Sequence, residues 1–137
     1  MNYARLAMAA VAATVFDAAY GFGVYGTLLA SEFNRYPAVY RGLEDGPAHL
    51  PLMFGGLLLA IVVAVVMYSK GYQGGSGVAE GARFGILLGL FAALAFAGVN
   101  YSVLMIGRKL ALEVAAAAFV EWMVIGTIIG LVYKPAG

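Results

Sequence analysis

Residues 51–69 read PLMFGGLLLAIVVAVVMYS, from Pro51 to Ser69, without one charged side chain. An α-helix needs roughly 20 mainly apolar residues to cross a bilayer's hydrocarbon core. The run is about twice the length of a barrel strand and lacks a sustained two-residue alternation. Backbone surrounded by lipid must satisfy its own N–H and C=O groups, so the stretch predicts a transmembrane helix.

Three more runs meet the same criterion: Leu6–Ala30, Phe84–Ile106 and Leu110–Tyr133. The expected fold class is all-α, an integral membrane four-helix bundle forming one domain over residues 1–137. Composition agrees, with 64% hydrophobic and 11% charged residues, where an ordinary soluble domain carries about 25% charged residues. A chain of this size has too much surface for so few charges to cover, which makes membrane lipids its expected partners.

The same composition excludes several functions. A net charge of +1 provides neither a nucleic-acid footprint nor a polybasic lipid patch. With no cysteine, disulfides, thiolate catalysis and the chain's own thiolate metal sites are ruled out. His49 is the single histidine, too few for the usual haem or zinc ligand set, so an interfacial role is expected and no cofactor is implied. No nucleophile–base pair or metal-hydrolase spacing occurs, which points away from an enzyme. Arg5 before an apolar run resembles a secretory signal, but the run reaches Ala30, Asp17 interrupts it, and Leu28-Leu29-Ala30 is a poor cleavage site. A retained first helix is expected.

The connections differ in character. Residues 31–51 mix Arg35, Arg41, Glu32, Glu44 and Asp45 with Phe33, Tyr36 and Tyr40, a blend suited to the headgroup zone. Residues 70–77 are glycine-rich and read as a mobile turn. Gly107-Arg108-Lys109 is short enough to make the last two helices antiparallel neighbours. Arg5, Lys70, Arg83 and Lys134 share the side of the termini, while Arg35, Arg41, Arg108 and Lys109 lie opposite. The positive-inside rule is therefore balanced, and only the terminal amine favours cytoplasmic termini, in what is expected to be a bacterial inner membrane.

Small residues recur every fourth position in the third span, at Gly81, Gly85, Gly89, Ala93 and Ala97. Gly126 and Gly130 in the fourth and Gly56, Ala60 and Ala64 in the second are similar. Such stripes admit a second backbone, either within the bundle or from another copy in a homo-oligomer or larger complex. Gly21-Phe22-Gly23-Val24-Tyr25-Gly26 matches G-x-G-x-x-G, yet it lacks the preceding strand of a dinucleotide site. Close packing or a slight kink is the expected role of Gly23 and Gly26.

Asp17 and Glu121 each fall near the middle of a span, at the bilayer midplane by helical rise. A charged carboxylate there costs about 2.5–3.5 kcal/mol on insertion scales. Tyr20 and Thr14 flank Asp17 on one helix face; Asn100 and Glu113 lie toward the opposite end of the bundle from the termini. No Lys, Arg or His shares the midplane. Two readings stay open: carboxyls that hold a proton or cation, or neutral acids that join helices by hydrogen bonds. Recognition of a ligand head group is a third. The eight Phe and nine Tyr are core- or lipid-facing by default.

Two stretches, Lys70-Gly71-Tyr72-Gln73-Gly74-Gly75 leading to Glu80-Gly81-Ala82-Arg83-Phe84-Gly85, and Gly126-Thr127-Ile128-Ile129-Gly130-Leu131-Val132-Tyr133, resemble small bacterial four-span proteins grouped as domains of unknown function. The resemblance covers about half the chain, implies a four-helix membrane fold and assigns no site residue. The small multidrug-resistance exporters are similar in size and carry a first-span carboxylate. This chain differs in its long first loop, its second midplane acid and the absence of their motif around the first. The function expected is a small proton- or cation-linked transporter or channel-like protein. The alternatives are an accessory or scaffold subunit of a membrane complex and a binder of lipid or another apolar ligand.

Overall fold

A computed structural model describes residues 1–42 and 44–133. Its four long helices are α1 (Tyr3–Leu28), α2 (Gly46–Gly71), α3 (Gly77–Val103) and α4 (Arg108–Val132), each long and apolar enough to cross a membrane. At 26 residues, α1 measures about 39 Å, longer than the hydrocarbon core is thick. Lys134, grouped above with the basic residues beside the termini, lies outside the described residues.

Three boundaries depart from the sequence reading for local reasons. Helix α3 starts at Gly77 rather than Phe84, because glycines that weaken an isolated helix here seat against α4. It ends at Val103, where Leu104 turns extended. Helix α2 opens with a tight turn at Gly46–His49, and Pro47 and Pro51 both occupy first-turn positions, where a missing N–H costs nothing. The turn between α2 and α3 is closed by the Gln73 N–H donating to Glu80 Oε1 at 3.0 Å.

The helices pack in the order α3–α4–α1–α2. The α3–α4 seam is backbone on backbone. A Cβ on Gly81 would stand 2.7 Å from the Gly126 oxygen, and one on Gly89 2.6 Å from the Phe119 oxygen. Gly85 meets Met123 backbone, and Gly126 and Gly130 meet the backbone of Gly85, Gly81 and Gly77. This glycine stripe is consumed inside the chain. Gly56, by contrast, has nothing within 4 Å of an added Cβ.

The α1 seam uses alanine: Ala9, Ala10 and Ala13 are buried against Ile61 and Val65 of α2 and Ile125 and Ile129 of α4. Near the termini, Tyr68 of α2 touches Phe84 of α3 at 5.5 Å and Tyr133 at 6.1 Å between ring centroids. The Asn2 N–H donates to the Tyr133 hydroxyl at 3.4 Å. Toward the opposite face α2 and α3 part, leaving an apolar groove of about 680 Å³ backed by Trp122. Helix α3 also widens at Ala93–Ala97, and a second apolar groove of about 370 Å³ lies there between α3 and α4.

The first loop folds over the α3–α4 turn. A helical turn at Ala30–Phe33 presents Glu32, whose Oε1 accepts from Lys109 Nζ at 2.6 Å. The Gly107 N–H donates to the Tyr36 hydroxyl at 2.9 Å. Lys109 holds the Glu32 carboxyl below its ordinary value of 4.5. A lowered folded value means the contact is intact above the unfolded value and is lost as pH falls through the folded one. Loop cleavage by an acid-tolerant protease should therefore rise once pH drops below the usual carboxylate range. Glu32→Gln should show the fast cleavage already at neutral pH.

Candidate functional site

The midplane acids come together because both helix faces are built to bring them there. Asp17 continues the alanine stripe of α1, one turn beyond Ala13, and four-residue spacing keeps these positions on one face. Glu121 occupies the matching face of α4, between Ala117 and Ile125, all buried. Asp17 is 2% exposed and Glu121 7%. The two carboxyls are close neighbours across the α1–α4 seam, and neither Asp17 oxygen is hydrogen-bonded among the described residues.

Their polar partners are uneven. The Tyr25 hydroxyl donates to Glu121 Oε2 at 2.9 Å. Both Asp17 oxygens are buried and accept nothing from the described residues. A bare buried carboxylate is costly, and two beside each other more so. A hydrogen bond between the carboxyls requires a proton on one of them, because two ionised carboxylates offer acceptors only.

Tyr25 reaches Glu121 through an unusual turn. Over Gly21–Leu28 the helix α1 widens to i→i+5 bonding, with the Leu29 N–H donating to the Val24 oxygen at 2.9 Å. The Thr27 hydroxyl donates to the Phe22 oxygen at 3.0 Å, following the same spacing. Wide turns of this kind occur inside α-helices, frequently at functional positions. Residues five apart then share a face, so Tyr20 and Tyr25 stand side by side with ring centroids 6.0 Å apart. Of the two roles expected of Gly23 and Gly26, close packing or a slight kink, the close packing is corrected: an added Cβ at Gly26 would meet only the Gly21 oxygen of its own helix, at 3.6 Å. A Cβ at Gly21 or Gly23 would meet nothing within 4 Å, so these glycines seat no neighbouring helix and instead lie in the widened winding.

Other residues singled out from the sequence fall in different places. Tyr20 donates to the Ala117 carbonyl at 2.6 Å, one turn of α4 from Glu121. The Thr14 hydroxyl is buried without a partner among the described residues. Glu113 lies two turns from Glu121 on the same stripe, its Oε1 3.9 Å from Lys109 Nζ and its Oε2 buried without a partner among the described residues. Asn100 is exposed on α3 beyond the widened turn; it faces outward rather than into the acid pair. His49 closes the opening turn of α2, with Nδ1 3.1 Å from the Asp45 backbone carbonyl oxygen. Tyr25 escaped sequence reasoning because α-helical winding would not have paired it with Tyr20. The alanines at 9 and 13, one turn apart and leading to Asp17, were the legible signal of the face that Asp17 shares.

An aromatic column leads away from the pair. Phe16 packs on Tyr20 at 5.6 Å, Tyr25 on Phe33 at 6.5 Å, and Phe33 on Tyr40 at 4.8 Å. The site thus has apolar helices on one side and a loop-facing polar and aromatic approach on the other. Comparison of the chain with protein-family models, curated proteins and solved structures finds no match.

Proposed function

We propose that this four-span membrane protein is a small proton- or cation-linked transporter or channel-like protein, with the Asp17–Glu121 pair as its proton- or cation-holding site. One observation carries the reading: two neighbouring buried carboxyls have, among the described residues, no basic residue beside them, and Asp17 has no donor there. The site calls for positive charge that its described surroundings do not supply. A proton suits it better than a metal ion, because Tyr25 points a donor at Glu121 and a cation's ligands must be acceptors. The reading places the chain in a bacterial inner membrane with cytoplasmic termini, so that the first loop faces outward.

Proteoliposomes with an imposed pH gradient and an internal pH dye test this. Asp17→Asn and Glu121→Gln should each reduce proton flux to the level of protein-free vesicles, since an amide cannot exchange the proton. Unchanged flux in both variants, or no flux in the wild type, would overturn the proposal.

The apolar groove between α2 and α3 supports a second reading, a protein that binds lipid or another apolar ligand. Its 680 Å³ volume and lining of Ala60, Ala64, Phe91 and Trp122 match the size and apolar character of small-molecule pockets. Native mass spectrometry would show a retained molecule, and Ala64→Phe should remove it. The scaffold alternative loses its clearest contact surface, because the glycine stripe of α3 is occupied by α4.

A further inference from the structure

We propose that the acid pair exchanges its proton with one side of the membrane only, the first-loop face, and that Glu113 is the relay. The inference rests on the proton-holding reading of Asp17 and Glu121 and adds its direction.

The two ends of the bundle differ sharply. Toward the termini, Thr14 is the last polar group flanking Asp17. Beyond it lie Ala9, Ala13, Ile61, Val65, Ile125 and Ile129, all 0% exposed. Those six side chains offer a proton no acceptor, and the next buried polar group toward the termini is the Tyr68 hydroxyl, one turn beyond Val65. Toward the first loop the α4 stripe repeats every four residues as Glu121, Ala117, Glu113 and Lys109. Each step is one helical turn, so Glu113 stands about 12 Å from Glu121 along the axis.

Polar atoms occupy that interval. The Tyr25 hydroxyl sits on Glu121, and the Tyr20 hydroxyl sits on the Ala117 carbonyl midway. Glu113 turns Oε1 toward Lys109 and keeps Oε2 buried with no donor from the described residues. The Glu113 side chain is 31% exposed, so it joins a buried interval to solvent. Lys109 in turn meets Glu32 and, through it, Arg35, which gives the entrance both signs of charge. The groups facing the route are therefore Asp17, Tyr20 and Tyr25 from α1, Glu113 and Lys109 from α4, and Glu32 from the loop. A carboxyl about one-third exposed, two turns from a buried carboxyl, is suited to hand protons across by general acid–base exchange.

Infrared spectroscopy of the full chain in lipid nanodiscs tests the route. The carbonyl stretch of a protonated acid, assigned by its loss in Asp17→Asn or Glu121→Gln, shifts when deuterium replaces the proton after transfer to D₂O. Glu113→Gln should leave the band in place and slow the shift by about tenfold or more, with Glu113→Asp restoring part of the rate. Equal rates in wild type and Glu113→Gln would overturn the relay. A wild type without the band would overturn the proton-holding reading itself, and the route with it. Sidedness has its own measurement, because the natural chain has no cysteine. Ala117→Cys should react with a small impermeant thiol reagent from the first-loop face, and Ile125→Cys from neither face. Labelling of Ile125→Cys from the terminal face would overturn one-sided access even if Glu113→Gln failed to fold.

Discussion

Gly85→Leu should abolish the folded bundle. A side chain at Gly85 would drive directly into the Met123 backbone, and the reciprocal change, Gly126→Leu, would strike the Gly85 backbone. Overpacking a core by a few methylenes typically costs about 1–3 kcal/mol when side chains can yield. Here the obstacle is main chain in the middle of two helices, so the helices must separate, and the cost exceeds that range. In lipid no hydrophobic force holds separated helices together, because the acyl chains are as apolar as the side chains they replace. Reversible unfolding in mixed micelles, followed by circular dichroism and Trp122 fluorescence, checks the outcome. Gly56→Ala is the matched control. Nothing lies within 4 Å of its added Cβ, and alanine is the better helix former by about 1 kcal/mol, so stability should hold or rise slightly. Equal behaviour of the two variants would remove the glycine seam as the main joint of the fold.

Ala13→Leu should do similar damage to the α1 seam and, with it, to the acid pair. Ala13 is fully buried among α2 and α4 residues, one helical turn before Asp17. Three added heavy atoms at that point must push α1 outward, at a cost of about 1–3 kcal/mol, and draw Asp17 away from Glu121. The exposed neighbours Val11 and Val15, at 61% and 66% exposure, point to lipid, so Val15→Leu should change little. The variants separate stability from chemistry. If Ala13→Leu unfolds more readily and also loses the protonated-acid band, the seam positions the pair. A band that survives intact would show that the two acids find each other without that seam.

Legibility from sequence followed the physics of each feature. The spans were readable because the solvent dictates them: a run such as 51–69 has nowhere to go but lipid, and lipid permits only helix. Depth was readable too, since helical rise turns residue number into height and puts Asp17 and Glu121 near one level. The boundaries were less so. Seven residues at the start of α3, from Gly77 to Arg83, lie before the span placed at Phe84–Ile106 because they are not a continuous apolar run, and contact with α4 explains why they wind. Asn100 read as a partner of the pair because its position along the bundle axis was known and its facing was not.

Sequence alone determined the all-α membrane class, the four crossings and the presence of two unaccompanied midplane acids, all consequences of local composition and a fixed rise per residue. Tertiary structure decided the helix order, the use of the glycine stripe within the chain and the meeting of Asp17 with Glu121. It also assigned Tyr25, rather than Asn100, as the partner of Glu121. Those outcomes depend on rotation about each helix axis and on one widened turn at Gly21–Leu28. Neither changes the composition of a span, so neither leaves a mark that periodicity can read.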